Sequence, residues 1–211
     1  MLLSSIDDAL RRIRRGEMVL VVDDEDRENE GDLTMAAEWV TPDAVNFMLR
    51  WARGLVCMPC DGSVLDALAI GPMVPATEAT TDTAFCVTID HVHAGSGIGA
   101  GDRALTIRRV LDPRSTTADF LRPGHVVPLR AKPGGVLERR GHTEAAVDLA
   151  RLAGLPPVAV ICEVLHDDGS PARIPYLELF AQEHRIAVIS VEQLAAYRSE
   201  RESETQPGML L

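Results

Sequence analysis

The residues best suited to chemistry are densest between Asp23 and Asp32. Seven of these ten residues are carboxylates, and one, Arg27, is basic. The run follows an apolar stretch of strand length, and the ends of strands are where α/β sheets place their ligands. Carboxylates crowded together repel one another unless a cation neutralises them. Because Mg²⁺ takes oxygen ligands and leaves part of its shell to water and substrate, the run favours a divalent-metal site over a solvated acidic turn.

A second candidate motif precedes a predicted helix and contains Arg139, Arg140 and His142. Arginines and the free backbone N–H groups of a helix N-terminus suit a phosphate group, and the histidine can bind a metal or move a proton. Glu163 interrupts an apolar strand pattern, where an unpaired carboxylate is costly, and such groups often serve in acid–base catalysis. His125, in Arg-Pro-Gly-His, is a weaker candidate of the same kind.

Two further motifs carry little functional signal. Cys57 and Cys60 have the spacing of a redox pair, but the motif begins inside a predicted strand, and the chain has no second paired-cysteine motif to complete a zinc site. The glycine-rich segment Gly95–Gly101 lacks both GK[ST] and the dinucleotide pattern GxGxxG. We therefore expect neither redox chemistry nor a nucleotide loop from them.

Composition excludes several classes of protein. The formal net charge of −11 over 211 residues argues against a nucleic-acid partner, because phosphate contacts need a basic face. No apolar run approaches the ~20 residues of a membrane helix, and Met1 is followed by no signal-peptide core. Four cysteines do not suggest a disulfide framework. These features predict a cytoplasmic protein with no membrane contact.

Hydrophobic periodicity predicts a single domain in which helices and strands are mixed without clean βαβ alternation, either α/β or α+β. Helices are predicted to begin near Ser5, Thr41, Arg103, Thr143, Pro175 and Val191. Strands are predicted at residues 18–22, 55–58, 84–89, 126–130, 158–164 and 186–189, with a loop at 23–32. We expect the domain to span residues 1–198 and the polar tail, residues 199–211, to be disordered.

Three segments together resemble the 3,4-dihydroxy-2-butanone 4-phosphate synthase family of riboflavin biosynthesis. They are residues 23–33, residues 122–126 and residues 134–145, and the likeness runs from about Ile6 to Arg198. The resemblance implies an α+β fold, a single-domain sandwich with a mixed sheet and flanking helices, and a homodimer with active sites at the subunit interface. It further implies a lyase that converts D-ribulose 5-phosphate to 3,4-dihydroxy-2-butanone 4-phosphate and formate, here in the monofunctional form.

The resemblance also assigns roles to individual residues. It implies that Glu28 and His142 bind two Mg²⁺ ions, that Mn²⁺ can substitute, and that no organic cofactor is needed. It places Glu163 and His125 in proton transfers, and it makes Glu28 and Cys57 catalytic as well, with Cys57 close to the substrate. Implied substrate contacts are Arg27, Glu28, Asp32, Arg139, Arg140, Gly141, His142, Thr143 and Glu163. Enolisation, dehydration, skeletal rearrangement and loss of C4 would follow in that order.

Two positions depart from the family pattern, and two other functions stay open. Relatives carry His-Gly-Thr or Tyr-Gly-Thr where this chain has residues 81–83 as Thr-Asp-Thr, and two glycines where it has Arg140 and Gly141. A different metal-dependent phosphosugar enzyme, an aldolase or isomerase, could use the same residue types. A non-enzymatic acidic binding domain would need the carboxylates only as a solvated face.

Overall fold

The computed structural model of the chain describes residues 3–24, 26–75 and 82–205. Its strands are β1 Val19–Val22, β2 Gly31–Ala36, β3 Cys57–Cys60, β4 Ile89–His91, β5 Phe120–Arg130, β6 Ala159–Glu163 and β7 Ala187–Ser190. Its α-helices are α1 Ile6–Arg14, α2 Pro42–Phe47, α3 Gly62–Ala67, α4 Ala100–Val110, α5 His142–Leu152, α6 Ile174–His184 and α7 Val191–Thr205. A π-helical turn, Met48–Ala52, continues α2.

All seven strands form one sheet in the order β4-β5-β3-β6-β2-β1-β7. Neighbours pair in parallel at β1–β7 and β3–β5, and antiparallel at β1–β2, β2–β6, β3–β6 and β4–β5. The sheet is therefore mixed, and the predicted α+β architecture with flanking helices is confirmed.

The two faces of the sheet have separate apolar cores. Because successive residues of a strand point to opposite faces, Leu20 and Val22 of β1 pack with α2, α4 and α6, whereas Val19 and Val21 pack with α1, α5 and α7. A smaller cluster joins Cys57, Leu129 and Ile161 of the central strands to Ala146 of α5. Helix α5 therefore covers the middle of the second face, and its N-terminus lies where β2, β6, β3 and β5 run side by side.

Several helix boundaries follow directly from local chemistry. The Ser5 hydroxyl accepts the N–H of Asp8 at 3.2 Å, and Thr41 accepts that of Ala44 at 3.1 Å, so both predicted N-caps are confirmed. Every residue of α5 from His142 to Ala150 is buried, although the segment includes four polar or charged residues. Tertiary packing, rather than an amphipathic pattern, therefore determines how α5 is embedded.

Several predictions of secondary structure were wrong in extent. The strand expected at 84–89 is replaced by β4, Ile89–His91, because residues 85 and 86 make only isolated bridges to Leu129 and Pro72. The loop expected at 23–32 ends early, because Gly31 and Asp32 already pair in β2. Helix α7 continues to Thr205 into the segment expected to be disordered, and Arg198 and Glu202 pair across one turn at 2.6 Å. Residues 206–211 lie outside the described residues.

Among the described residues, no helix is both long and apolar enough to cross a membrane. All four cysteines are free and buried.

Candidate active site

A cavity of about 230 Å³ lies on the α5 side of the sheet, across β2, β6, β3 and β5. It brings together residues from six separate parts of the chain. Seven of the residues predicted from the sequence line it: Arg27, Glu28, Asp32, Cys57, His142, Thr143 and Glu163. The acidic run, the predicted helix start and the carboxylate of the apolar strand therefore meet at one place.

The acidic loop after β1 is folded around the buried carboxylate of Asp23. Asp23 accepts the backbone N–H of Glu28 at 3.2 Å and that of Glu30 at 2.8 Å. The Arg27 guanidinium lies 2.7 Å from Asp23 Oδ2 and 2.6 Å from Glu28 Oε2. Arg173, the N-cap residue of α6, donates to the carbonyl oxygen of Glu28 at 2.7 Å. These bonds hold the side chain of Glu28 at the mouth of the cavity.

His142 is the first residue of α5 and is buried against this loop. Its Nδ1 lies 3.6 Å from Glu28 Oε2 and 4.0 Å from Asp32 Oδ2. Asp23, Glu28 and His142 each offer one ligand atom within 4.8 Å of the others. Two buried polar atoms, Asp32 Oδ1 and His142 Nε2, have no hydrogen-bond partner among the described residues. Buried polar groups without partners are rare in proteins, so this donor set fits a bound divalent cation.

The charges of the cluster perturb one another strongly. The His142 ring, helped by Arg27, lowers the pKa of Glu28 to about 2, although partial burial opposes the shift. Burial raises the pKa of Asp32, and the negative charges of Glu163 and Glu28 act in the same direction. Burial alone would lower the pKa of His142, but the nearby Asp32 and Glu28 carboxylates outweigh it and raise the value. Excess negative charge in a buried site favours bound protons or a bound cation.

Glu163 enters the same cavity from the last position of β6. The antiparallel register of β2 and β6 pairs it with Asp32. Its Oε2 accepts the backbone N–H of Leu55 at 2.8 Å. A Cβ on Gly54 would overlap the carbonyl oxygen of Glu163 and lie 2.5 Å from its Oε2, so only glycine permits this close approach. The turn before β3 therefore orients the carboxylate.

Cys57 lies beneath the site on β3, opposite Ile161 of β6. It is 2% exposed, and burial raises the pKa of its thiol. Reactive cysteines need a lowered thiol pKa, so this burial does not favour Cys57 as a nucleophile, and its catalytic role stays a prediction. Cys60 is also buried, with its Sγ bonded to the carbonyl oxygen of Met58.

Four predicted site residues do not line the cavity. Arg139 lies beside it, donating to Glu144 at 2.5 Å and to the Thr83 hydroxyl at 2.9 Å. Arg140 is exposed, and Gly141 is the N-cap residue of α5. His125 lies on β5 against Asp90, with its Nδ1 2.6 Å from Asp90 Oδ2. Their contacts with a substrate stay predictions.

Sequence reasoning missed several residues that the fold adds to the site. Glu30, Thr83 and Phe85 line the cavity, and Asp23 belongs to the candidate metal cluster. The position of Asp23 directly after β1 was a usable signal, because strand ends are common ligand positions. Thr83 and Phe85 carry no comparable signal.

At the departure from the family pattern, residues 81–83, Asp82 pairs with Lys132 at 2.9 Å, while residue 81 lies outside the described residues.

Comparisons with known proteins agree with this site. The family model described as 3,4-dihydroxy-2-butanone 4-phosphate synthase matches residues 7–197. The riboflavin biosynthesis protein RibBA of Aquifex aeolicus is 53% identical over 203 residues, which cover 95% of this chain and 50% of that protein. The 3,4-dihydroxy-2-butanone 4-phosphate synthase of Agrobacterium fabrum is 52% identical over 198 residues, with 93% of each chain covered. The chain spans about half the length of several of the curated relatives it matches.

One similar solved structure is described as 3,4-dihydroxy-2-butanone 4-phosphate synthase in complex with two magnesium ions. It superposes with a TM-score of 0.91 at 39% sequence identity, covering 95% of this chain and 99% of that chain. The fold therefore has a counterpart in a known structure, and that protein binds magnesium ions.

Proposed function

Because this chain belongs to the 3,4-dihydroxy-2-butanone 4-phosphate synthase family, we propose that it converts D-ribulose 5-phosphate to 3,4-dihydroxy-2-butanone 4-phosphate and formate. The observation that carries this proposal is the meeting of Glu28, Asp32, His142 and Glu163 in one cavity. Carboxylates and a histidine around a cation site suit a reaction that needs repeated proton transfers on a sugar phosphate. No step of that conversion requires an organic cofactor.

Glu28 and His142 are the proposed holders of two Mg²⁺ ions, for which Mn²⁺ can substitute. Asp23 is a further oxygen donor at the same place, and Asp32 Oδ1 and His142 Nε2 are free to bind. The bound ions would supply positive charge that favours the build-up of negative charge on substrate oxygens. Oxygen ligands from water and substrate would complete their shells.

The proposed substrate contacts divide between the acidic loop and the start of α5. Arg27 and Asp32 line the cavity beside Glu28 and can bind hydroxyl groups of the sugar. Helix α5 begins at His142, and its N-cap residue, Gly141, provides no side-chain cap for the first N–H groups. Such an end suits a phosphate, so we assign the substrate phosphate to His142, Thr143 and the neighbouring Arg139 and Arg140.

Glu163 and His125 are the proposed groups for proton transfer. Glu163 is inside the cavity, held by the N–H of Leu55, and can exchange a proton with a substrate atom directly. His125 lies outside the cavity lining on β5, so its assignment depends on the dimer proposed below. Cys57 contributes the shape of the cavity floor.

Isotope labelling tests the reaction itself. Ribulose 5-phosphate labelled with ¹³C at C4 is expected to give one labelled formate per turnover, measured by NMR, with Mg²⁺ or Mn²⁺ present. EDTA should abolish formate release, and excess metal should restore it. Label recovered in a pentose or a triose phosphate would replace the proposal with an isomerase or an aldolase. The absence of any turnover would favour the alternative function, a non-enzymatic acidic binding domain.

We also propose a homodimer that covers the open part of the sheet around His125. Leu129, His125 and Leu121 of β5 are separated by even numbers of residues and therefore belong to the same face of the strand. Leu129 is buried under α5, whereas His125 and Leu121 are exposed. Exposed apolar side chains continue around this edge at Val92, Ile98 and Leu121, which are 36%, 56% and 55% exposed. A second copy seated here would bring an active site close to His125. The cytoplasmic location stays a prediction.

Light scattering of the purified protein is expected to give twice the mass of one chain. Leu121→Asp should shift the mass toward the monomer and lower formate production, because it places a charge in the apolar face. Leu179→Asp is the matched control, since Leu179 is 64% exposed on α6, in the opposite helix layer. A wild-type mass of one chain at assay concentration would remove the dimer proposal.

A further inference from the structure

We propose that Arg198 of α7 and Asp148 of α5 are positioning residues that fix the loop carrying Arg139 and thereby set the affinity for the substrate phosphate. This loop, residues 132–141, connects β5 to α5. The inference rests on the proposed function for the assignment of the phosphate to Arg139 and the start of α5. Arg198 and Asp148 lie outside the cavity lining, so their effect on the substrate must pass through the loop.

The carboxylate of Asp148 is buried beneath the loop and joins it to α7. Its Oδ2 accepts the backbone N–H of Val136 at 2.8 Å and also accepts from Nη1 of Arg198 at 2.8 Å. The same Nη1 donates to the carbonyl oxygen of Gly134 at 2.8 Å. The residues on both sides of Gly135 are therefore bonded to one ion pair.

This ion pair is more enclosed than the surface pairs of the chain. The side chain of Asp148 is 2% exposed and that of Arg198 is 18% exposed. A buried carboxylate that loses its cation is costly. The other nearby cation, Arg151, lies 3.6 Å from Oδ1 and is paired with Asp61. Glu202 binds Nη2 of Arg198 at 2.6 Å and so orients the guanidinium, which leaves Nη1 for Asp148 and the loop.

Gly135 shows how closely the loop approaches the ion pair. It has φ +60°, and a Cβ there would overlap both the Asp148 carboxylate and Nη1 of Arg198. Only glycine combines a left-handed backbone with so close an approach. The carbonyl oxygen of Gly135 accepts the backbone N–H of Arg139 at 3.0 Å. The ion pair therefore supports the peptide group that holds Arg139.

From Arg139 the contacts reach the cavity lining and the start of α5. Its guanidinium donates to Glu144 at 2.5 Å and to the hydroxyl of Thr83, a lining residue, at 2.9 Å. The other oxygen of Glu144 accepts the backbone N–H of Lys132 at 3.0 Å. The carbonyl oxygen of Arg139 accepts the N–H of Gly141 at 2.9 Å. A loop released from α7 would therefore move Arg139 relative to the proposed phosphate position.

Arg198→Met is the discriminating substitution, because it keeps an apolar chain of similar length and removes the bonds to Asp148 and Gly134. The phosphate is retained from substrate to product, so its anchor acts on ground state and transition state alike. We therefore expect KM for ribulose 5-phosphate to rise about tenfold, with kcat changed less than about threefold. Hydrogen–deuterium exchange of residues 132–141, measured by mass spectrometry without substrate, should become faster. Arg198→Lys, which keeps the charge, should recover part of both properties.

Tyr197→Phe is the matched control on α7. It removes a different contact of the same helix, the 2.9 Å bond from the Tyr197 hydroxyl to Asp7 of α1, and leaves the contacts of the loop in place. Its KM and its loop exchange should equal those of the wild type, whatever the change in its melting temperature. A merely structural role of Arg198 would lower the melting temperature without changing KM.

Two glycine substitutions test the same contact without removing a charge. Gly135→Ala places a Cβ against Asp148 and Arg198, whereas a Cβ on Gly154 meets no atom within 4 Å. Both glycines have a left-handed backbone, with φ +60° and +76°, so the backbone strain of the two alanines is similar. Only Gly135→Ala should raise KM and speed the exchange of the loop. This pair and Arg198→Lys decide the test if Arg198→Met does not fold.

An unchanged KM in Arg198→Met and Gly135→Ala, or faster loop exchange without a change in KM, would overturn the inference. An equal rise of KM in Tyr197→Phe would also overturn it, because any loosening of α7 would then suffice. Failure of the wild type to release formate would instead overturn the proposed function. Loop exchange is measured without turnover, so it would still show whether Arg198 fixes the loop.

Discussion

Replacing Glu28 by glutamine is expected to lower kcat/KM at least about 100-fold, because catalytic charge stabilisation depends strongly on each ligand of a preorganised site. The substitution keeps the shape of the side chain but removes the negative charge, and the pKa of Glu28 of about 2 means that this charge is present throughout the neutral range. The loss should be accompanied by weaker Mn²⁺ binding, measured by electron paramagnetic resonance titration.

The fold should survive this change. Asp23, not Glu28, accepts the backbone N–H groups of the loop, and Arg27 keeps its 2.7 Å contact with Asp23. Asp26→Asn is the matched control, since it removes one charge from an exposed position of the same loop and should retain activity and metal binding. Wild-type turnover of Glu28→Gln at saturating Mg²⁺ would show that Glu28 is not a metal ligand.

Replacing Glu163 by glutamine is expected to lower kcat by about 10²–10⁴-fold, the usual contribution of a general acid–base group. The amide oxygen can still accept the N–H of Leu55, so the turn between α2 and β3 should not move. The pocket would then hold a group of the same shape that cannot exchange a proton. Steady-state kinetics with formate detection measures the loss.

Metal binding separates the roles of the two glutamates. Glu163→Gln should bind Mn²⁺ as the wild type does, because Glu163 is not in the cluster of Asp23, Glu28 and His142. Equal losses of Mn²⁺ affinity in Glu28→Gln and Glu163→Gln would contradict this separation and make Glu163 a metal ligand as well. Glu163→Asp, which shortens the acid but keeps its charge, should recover part of the activity if proton transfer is the role.

Local patterns were sufficient for much of the chain. Ser5 and Thr41 cap helices as their positions predict, and the apolar runs at β1 and β6 are strands. These features depend on interactions within a few residues, which the sequence displays directly. Where structure depends on distant pairing, the same reasoning fails. Gly31 and Asp32 form part of β2 only because β1 and β6 lie on either side of them.

The kind of site was also readable from the residues themselves. A dense run of carboxylates, a histidine at a helix start and a carboxylate in an apolar strand indicate cation binding and proton transfer, whatever the fold. These residue types limit the possible chemistry because charge, proton affinity and ligand preference belong to the side chains. The resemblance to a known family then connected the three motifs to one reaction.

Which residues line the cavity was decided by tertiary structure alone. Strand order places Asp32, Glu163 and Cys57 side by side although they are far apart in the chain, and it leaves His125 outside the lining, bound to Asp90. Thr83 and Phe85 enter the cavity without any sequence signal. The physical reason is that residue types specify what a group can do, whereas burial, hydrogen-bond partners and distances arise only when the sheet register brings distant segments into contact.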